Sequence, residues 1–521
     1  MSQQRQWLSV FLLAWSLLTV SCGGGGSEPV ATTYRSSELV AVTDIGDRSV
    51  VTIDSSDVPV VPVVPVGDIQ GNISVVRISD LPVITIGSDG SAATNTNAED
   101  TLSPAAANAN PAIIRERSTE AAPEEDVTTL VNDINEFGMA AYHSLSDDRG
   151  SRLVSPYTAG TAMAMISGAA DGETLRELTD AMPFTLNQTT LHPAMNDLDQ
   201  RLNGLDFFEN APPTSFYTTA LTSWGQQDYP IRIDFHNLLS RYYGAMPQSL
   251  DFVNNPDGAS LDISSWMMEQ VPHGAFYSEV SSLARLIVAA VADFQGNWEA
   301  PFDPALSGAS TFVGLDEIAD SVTMMSRAGV FPYAEEEGKT IVELPYAGSR
   351  FSMLLLLPDF YEFDDVEASL NVTEVNRLAA LLEPRNVLLK LPRFSMSRVA
   401  DYQEMFSGMG VEEPFQNGRA DFSRLNRQDS LYIESMPSRT SLSVDEAGAA
   451  AQASTGIELL GLPIPSSGSH GSGVISGMIS WVPPAYPPPL VEAVFDHPFI
   501  FIIRDSETGA FLFIGRLMRV Y

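Results

Sequence analysis

Regular hydrophobic patterning begins near Asp126 and continues to the C-terminal Tyr521. A second helix is predicted after Pro156, where the segment 161–170 is apolar on nearly all sides and is therefore expected to be buried. An amphipathic first helix is predicted by apolar residues at helical spacing, namely Val127, Leu130, Val131, Ile134, Phe137, Gly138, Ala141 and Tyr142.

Later segments of the chain carry the continuous apolar runs that are typical of buried strands. These runs lie at 284–294, 340–344, 351–357, 387–391 and 499–503. Helices that come early and strands that come late favour an α+β domain, here over residues 126–521.

The first 22 residues have the pattern of an export signal. Arg5 precedes an apolar run from Trp7 to Leu18, which is shorter than the roughly 20 residues of a membrane-spanning helix. The stretch Leu18-Thr-Val-Ser-Cys22 resembles a bacterial lipobox, so residues 1–22 are predicted to be a lipoprotein-type signal peptide ending at Cys22, the site of lipidation. The alternative is an ordinary signal peptide with a stray cysteine. We expect an exported protein, lipid-anchored to a bacterial membrane in the periplasm or at the cell surface, or otherwise secreted.

Residues 23–125 differ in composition from the rest of the chain. They are rich in Ser, Thr, Ala, Asn, Asp and Val, and Tyr34 is their only aromatic residue. This composition predicts a low-complexity, disordered spacer. The run Ile73–Ile86 could form one or two strands, so a small β module is the alternative.

Charge and motif content argue against several classes of function. The net charge of −38 repels phosphate backbones and leaves no basic patch, so we expect neither a nucleic-acid partner nor a heparin-type cofactor. The six histidines are far apart, with no His-Glu-x-x-His and no Gly-x-Ser-x-Gly motif. The sequence therefore predicts no catalytic residues, no metal site and no cofactor.

Several segments of the 126–521 region, in the same order, resemble the serpin family. Such a resemblance implies a serpin fold with a central five-stranded sheet, surrounding helices and an exposed reactive loop near the C-terminus. It also implies a monomeric suicide-substrate inhibitor of serine peptidases, with cysteine peptidases as a second target class. Such an inhibitor forms a covalent acyl complex and inserts its cleaved loop into the sheet. The segments are Leu153–Met165, Gly168–Thr174, Asp293–Pro304, Met324–Ser326, Val342–Tyr346, Ser352–Asp359, Leu391–Phe394 and Phe495–Phe501.

The function predicted from this resemblance depends on residues 444–456, which resemble the hinge of an inhibitory reactive loop. A strand alternates its side chains, so small residues on one face would let the segment insert without overpacking. One face would carry Ala449, Ala451, Ala453 and Thr455, and the other Ala450, Gln452 and Ser454, with Gly448 and Gly456 at the two ends. Composition alone would equally describe a flexible linker.

The resemblance assigns further residues around the point where the loop inserts. Glu446 and Arg393 match an acidic and a basic residue that pair there, and Trp298 matches the neighbouring aromatic residue. The alternative for the two charges is that they are unrelated surface groups.

Beneath the centre of the sheet, Ser155 and Thr158 match family hydroxyl positions. Ala290 and Ser438 stand where the family has an asparagine and a histidine, so this sequence lacks that hydrogen-bonded pair. The loss puts the barrier to sheet opening in doubt.

The residue before the scissile bond is predicted from the family's interval of fourteen residues after Gly448, which gives Leu462, followed by Pro463. Proline is unfavourable there, so Leu460 and Gly461 form a rival bond. Residues 465–489 make the loop about 25 residues longer than expected for the family. The residue before the scissile bond, here called the bait, could therefore lie further along the chain, at Met478 or Ile479. The leucines favour a chymotrypsin-, elastase- or subtilisin-like target. The long loop favours the alternative of a non-inhibitory binding protein or a plain peptidase substrate.

Overall fold

A computed structural model describes the chain from residue 100 onwards with interruptions, and several short strands before it. The chain forms two units, Met1–Ile73 and Ser74–Tyr521. In the first, β1 (Ala41–Ile45) and β2 (Arg48–Thr52) pair as antiparallel strands. The described residues are 41–45, 48–52, 76–77, 83–88, 100–145, 150–203, 215–270, 276–277, 280–453 and 490–520.

The helices of the second unit follow the predicted patterns. The first predicted helix starts with three acidic residues, Glu124 to Asp126, which favour a helix N-terminus, and its apolar positions are buried. The second begins at Pro156, and all of its residues are buried. The helices within the described residues are α1 (Pro104–Ala107), α2 (Glu124–Ser144), α3 (Pro156–Ser167), α4 (Gly172–Ala181), α5 (Gln188–Asn203), α6 (Ile233–Leu238), α7 (Pro256–Gln270), α8 (Phe363–Ser369), α9 (Val372–Ala380) and α10 (Tyr402–Gly408).

The strands include all five predicted apolar runs. They are β3 (Val76–Arg77), β4 (Val83–Ser88), β5 (Thr101–Leu102), β6 (Arg152–Val154), β7 (Ser215–Gln226), β8 (Ile231–Arg232), β9 (Gln248–Leu250), β10 (Phe276–Tyr277), β11 (Ala284–Asn297), β12 (Gly308–Val313), β13 (Ala319–Glu336), β14 (Lys339–Pro345), β15 (Phe351–Pro358), β16 (Glu383–Pro392), β17 (Phe394–Asp401), β18 (Leu431–Ser435), β19 (Pro437–Val444), β20 (Gly448–Ala453), β21 (Val491–Val494), β22 (Phe499–Asp505) and β23 (Phe511–Leu517).

Two large sheets organise these strands. One sheet has the order β21-β16-β13-β14-β15-β22-β23-β6, with β12 paired to β13. The other, the central sheet, is built around β11, whose residues are almost all buried and against which α3 packs. Helices early in the chain thus cover sheets that come mostly from its later part, which confirms the α+β class.

The central sheet contains the five strand positions that the sequence predicts, together with a sixth. Four positions are β9, β7, β11 and β17, and the fifth is shared by β18 and β19, which are separated only by Met436. Between β11 and this fifth position lies an additional strand position, which we call the insertion slot. Its upper half borders Ala292–Asn297 of β11, and its lower half borders Ala284–Ala289.

Two separate parts of the chain fill the insertion slot. The upper half holds β20, which pairs antiparallel with both β11 and β19. The lower half holds β4, which pairs antiparallel with both β11 and β18. The central sheet therefore has six strand positions rather than the predicted five, because the first residues of the hinge satisfy their backbone hydrogen bonds inside the sheet. The rest of the predicted exposed loop, residues 454–489, lies outside the described residues.

The predicted spacer boundary at residue 125 is also corrected. Strand β4 lies in the central sheet, and residues 100–125 include β5, α1 and the buried Ile113. The strand signal in Ile73–Ile86 is matched by β3 and β4. The composition of residues 23–125 suggested disorder because composition describes a segment in isolation. It does not include the backbone pairing with distant strands that orders β4.

Candidate functional site

A tight turn leads from β19 into the hinge. The Asp445 carboxylate accepts hydrogen bonds from the backbone N–H groups of Ala447, at 2.8 Å, and Gly448, at 3.1 Å. The Asp445 N–H donates to the Gly448 carbonyl at 3.0 Å. Aspartate favours such turns because its short side chain reaches the backbone two or three residues ahead. This turn directs β20 back along β19 and into the insertion slot.

Gly448 lies where β20 makes its closest approach to β11. A Cβ atom on Gly448 would lie 2.0 Å from the backbone oxygen of Gly296 and 2.8 Å from the Cα atom of Asn297. Backbone atoms of a paired strand cannot move away as a side chain can, so only glycine permits this approach. The hinge glycine is therefore required for pairing as well as for conformational freedom.

The hinge residues alternate in burial as a strand requires. Ala449 and Ala451 are 6 % and 0 % exposed, whereas Ala450 between them is partly exposed. The methyl groups of the inward face thus fit between β11 and β19 without displacing the core. For these three residues the observed faces are those that the sequence predicts.

Trp298 holds the turn against the top of β11. Its indole Nε1–H donates to the Asp445 carbonyl at 2.9 Å, and its backbone N–H donates to the Ala447 carbonyl at 2.8 Å. Its ring stacks on Tyr346 with centroids 4.6 Å apart, and Tyr346 in turn meets Phe294 edge to face at 4.9 Å. Trp298 thus couples the turn to the aromatic core beneath β11.

Glu446 and Arg393 form an ion pair beside this turn. Arg393 Nη2 donates to both carboxylate oxygens of Glu446, at 2.6 and 2.7 Å, and Ser307 Oγ donates to the same carboxylate at 2.7 Å. The Glu446 side chain is 9 % exposed and that of Arg393 50 %. Burial by itself would raise the pKa of Glu446, but the hydrogen bonds from Arg393 and Ser307 together hold it below its usual value.

The positions beneath the sheet centre are all buried. Ser155 precedes α3, and Thr158 Oγ1 on the first turn of that helix donates to the Ser155 carbonyl at 3.2 Å. Ala290 on β11 and Ser438 on β19 are buried as well. On β11, Ala290 and Val291 are the two residues between those paired with β4 and those paired with β20.

The remaining predicted site residues lie outside the described part of the chain. They are Cys22, Ser454, Thr455, Gly456, Leu460, Gly461, Leu462, Pro463, Met478 and Ile479. The described residues contain no group of three or more His, Cys, Asp or Glu side chains that could hold a metal ion. None of the helices described is both long and apolar enough to span a membrane.

Strand β4 is the part of this site that sequence reasoning did not assign. Its signal was the run Val83-Ile-Thr-Ile86, since β-branched residues favour strands. That signal predicts a strand but not its neighbours, because pairing with β11 joins residues about 200 positions apart.

This chain is similar to curated proteins that are named as serpin-like or as inhibitors. A serpin-like protein of Thermococcus kodakarensis, named as uncharacterized, is 29 % identical over 400 residues, covering 75 % of this chain and 85 % of its own length. Intracellular coagulation inhibitor 1 of Tachypleus tridentatus is 27 % identical, covering 75 % and 89 %. Leukocyte elastase inhibitor of Equus caballus is 26 % identical, covering 71 % and 93 %.

Solved structures show the same fold at lower sequence identity. A cleaved, loop-inserted ovalbumin mutant aligns with a TM-score of 0.62 at 21 % identity, covering 75 % of this chain and 99 % of that one. Latent tengpin, a thermophilic serpin, aligns with a TM-score of 0.61 at 22 % identity, covering 78 % and 100 %. The predicted serpin fold is therefore confirmed.

The family description "Serpin (serine protease inhibitor)" matches residues 132–520, which include every described residue of the hinge, the turn and the ion pair. With the hinge folded into the central sheet as a strand of small residues, this match shows that the chain belongs to the serpin family.

Proposed function

We propose that this protein is an inhibitory serpin that traps a serine peptidase as a covalent acyl complex. The observation that carries the proposal is β20, where the first hinge residues are already paired between β11 and β19. A strand that continues this pairing would carry small side chains on its inward face and would run between β11 and the β18–β19 position, where β4 now occupies the lower half. The arrangement gives the cleaved loop a path into the sheet.

The covalent step needs only the loop and the peptidase. The peptidase's serine Oγ attacks the carbonyl carbon of the scissile peptide bond, that C–N bond breaks, and the serine proton passes through the peptidase's general base to the departing amine. The loop residue is then held as an ester on the peptidase. Rapid insertion of the loop would carry the peptidase away before water hydrolyses this ester.

The register of β20 supports a bait near Leu462. Gly448 pairs with Asn297 and Ala453 with Ala292, so the same register would place Gly461 opposite Ala284, the first residue of β11. A loop cleaved after Leu462 would thus cover the full length of β11, about 46 Å for fourteen residues. Leu460-Gly461 would fill nearly the same length, whereas cleavage at Met478 or Ile479 would leave a long unpaired tether.

The test is to mix the full-length protein with chymotrypsin, pancreatic elastase and subtilisin and to separate the products on a denaturing gel. We expect a band with the summed mass of both proteins and a smaller cleaved band. Complete cleavage without such a complex at every ratio would refute trapping. Sequencing the released fragment identifies the scissile bond.

A matched pair of variants tests the role of the hinge itself. Ala449→Arg places a long charged side chain on the buried face, so insertion should stall and the complex should give way to cleaved product. Ala450→Arg places the same side chain on the exposed face and should form complex like the unmodified protein. Equal complex yields for the two variants would contradict the assignment of faces.

The alternative of a plain peptidase substrate is favoured by one observation. Strand β4 fills the lower half of the insertion slot, which a fully inserted loop would need. If β4 cannot leave on the timescale of ester hydrolysis, every encounter would end in cleavage. The gel assay separates the two functions.

We also propose that the protein is exported and anchored to a bacterial membrane through lipid on Cys22. The lipobox-like stretch before Cys22 supports this proposal, as does the absence of a second cysteine to pair with it. When the full-length gene is expressed in a bacterium, the product should partition into the detergent phase of a Triton X-114 extract, and Cys22→Ser should move it to the aqueous phase. Aqueous partitioning of both proteins would contradict lipidation.

A further inference from the structure

The lower half of the insertion slot already contains a strand, and that strand comes from the N-terminal part of the chain. On the β11 side, Val83 pairs with Ala289 and Gly87 with Ala284, with an irregularity at Arg285. On the other side, Ser88 pairs with Leu431 and Ile86 with Ile433. Strand β4 therefore has a neighbouring strand along both of its edges.

The centre of β4 is part of the main hydrophobic core. Ile86 is 0 % exposed, and its two partners across the strands, Leu286 and Ile433, are fully buried as well. Removing β4 would uncover these two side chains together with the facing edges of β11 and β18. The lower half is thus a built strand-binding site rather than an incidental surface contact.

The same positions are the ones that a fully inserted loop would occupy. In the register of β20, residues 456–461 would face Ala289–Ala284, the stretch of β11 that β4 now pairs with. Only Val291 and Ala290 separate the two strands along β11, so two more hinge residues could pair before the loop met Val83. The loop and β4 cannot both pair with this half of β11.

We propose that Val83–Ser88 is a built-in competitor for the lower half of the insertion slot, which the reactive loop must expel to complete its insertion. In the uncleaved protein β4 limits the loop to partial insertion. Cleavage releases the loop from its C-terminal attachment, and the longer strand then displaces the shorter one. The strand-binding site stands independently of the proposed function; only the consequence for trapping rests on it.

The short connection between β4 and the rest of the domain would allow β4 to leave the insertion slot and bind there again. Ser88 is followed after 12 residues by β5, which pairs with β8, and then by α1, which packs against β7 and β9. An expelled β4 would stay tethered close to the slot at a high effective concentration. It would therefore rebind whenever the lower half is free.

The first test compares hydrogen exchange in the full-length protein before and after its loop is cut with subtilisin. We expect the amides of 83–88 to be protected before cleavage and to lose protection by about tenfold or more afterwards, while the amides of Ala284–Ala289 stay protected because the loop has replaced β4. Retained protection of 83–88 in the cleaved protein would overturn the proposal. This experiment does not need a covalent peptidase complex. A failure of the strand-competition proposal can therefore be distinguished from a failure of the proposed inhibitory function.

The second test removes the competitor by Ile86→Asp, with Ile113→Asp as the matched control, since Ile113 is another buried isoleucine before α2 but lies outside the slot. The probe is a synthetic acetylated peptide with the sequence of residues 83–88. It should bind Ile86→Asp at least about tenfold more tightly than the unmodified protein or the control. Equal binding to all three proteins, or binding to none, would overturn the proposal. If Ile86→Asp does not fold, the exchange experiment on the unmodified protein decides.

Discussion

At the scale of single residues, the site depends on side chains that are small or absent where two backbones meet. Gly448 has no room for a Cβ atom, and Ala449 and Ala451 point into the core. Trp298 and Asp445 hold the turn that brings these residues to β11. These contacts allow only small side chains in the strand that fills the upper half of the insertion slot.

Replacing Gly448 with valine should release the hinge from the sheet. The added side chain would meet the backbone of Gly296 and Asn297, so β20 could no longer pair at that end. Hydrogen exchange at residues 449–451 should become faster. Gly308→Val is the control, because Gly308 also lies in a strand but has open space around its Cβ position. Unchanged exchange in Gly448→Val would contradict the close approach.

The Glu446–Arg393 pair should contribute little to stability. Arg393 is half exposed, and exposed pairs are worth about 0–1 kcal/mol, so a double-mutant cycle with Glu446→Gln and Arg393→Gln should give a coupling free energy within that range. The pKa of Glu446 is lower in the folded protein, so the contribution is present above about pH 4.3, the usual pKa of glutamate, and is lost as the pH falls through the lower folded value. A coupling well above this range at pH 7, or one that persists at the lowest pH, would contradict this reading.

At the scale of elements, one strand position is divided between two segments that are far apart in sequence. Strand β20 follows β19 after three connecting residues, whereas β4 comes from the part of the chain before the first long helix. Both pair antiparallel to β11, so each can be extended only at the expense of the other. The central sheet therefore has an incomplete strand whose completion is available to the loop.

Cleavage of the loop by subtilisin should raise the melting temperature by tens of degrees. Full insertion would replace two short strands with one continuous strand along β11, and the proposed function requires that a kinetic barrier keep the uncleaved form from reaching that state. Differential scanning calorimetry of cut and uncut protein at one scan rate measures the change. Ala449→Arg, cut in the same way, should show a much smaller rise. An unchanged melting temperature in the cleaved unmodified protein would mean that the loop does not insert.

At the scale of the whole molecule, the chain carries a large excess of negative charge, and two buried histidines have lowered pKa values. The net charge is −38 over the full chain. Burial lowers the pKa of His192 to about 3, aided by the charge of Arg424, and burial also lowers the pKa of His236. Acid is therefore expected to lower the stability of the folded domain through buried histidines as well as through surface carboxylates.

Mild acid should destabilise the protein in proportion to proton uptake by the unfolded chain. The unfolded His192 takes up a proton below about pH 6.5 and the folded one does not, so stability is full above that pH and falls by up to about 1.4 kcal/mol per pH unit towards pH 3. Thermal unfolding of the cleaved protein between pH 7 and 4 measures the slope. His192→Gln should reduce this slope, because the variant has no imidazole at this position to be protonated on unfolding. A slope that His192→Gln leaves unchanged would contradict the role of His192.

Salt should raise the melting temperature of the native form. Self-repulsion among the excess carboxylates is long-ranged at low ionic strength and is screened within about 8 Å at 0.15 M. Scans in increasing sodium chloride measure the effect. A melting temperature that does not change with salt would mean that local pairs, such as those of Arg377 and Arg519, already compensate the repulsion.

Much of the domain could be predicted from local patterns, whereas the hinge was predicted from family resemblance. The helical spacing of α2, the wholly apolar α3 and the buried strand runs are periodic features of neighbouring residues. The period-two alternation of a strand correctly predicted that Ala449 and Ala451 share one face and that Ala450 lies on the other. The ion pair between Glu446 and Arg393 was expected from family resemblance alone, since residues 53 positions apart carry no local signal of contact.

The sequence by itself determined the α+β class, the positions of two helices and five strand runs, and the alternation of side chains along the hinge, because these properties depend on residue type and spacing. Only the tertiary structure decided that the hinge is already partly inserted and that Val83–Ser88 fills the rest of the slot. Each of those strands could pair with any suitable edge. The choice depends on which edges the folded sheet leaves open, and those edges are created by residues far away in the chain.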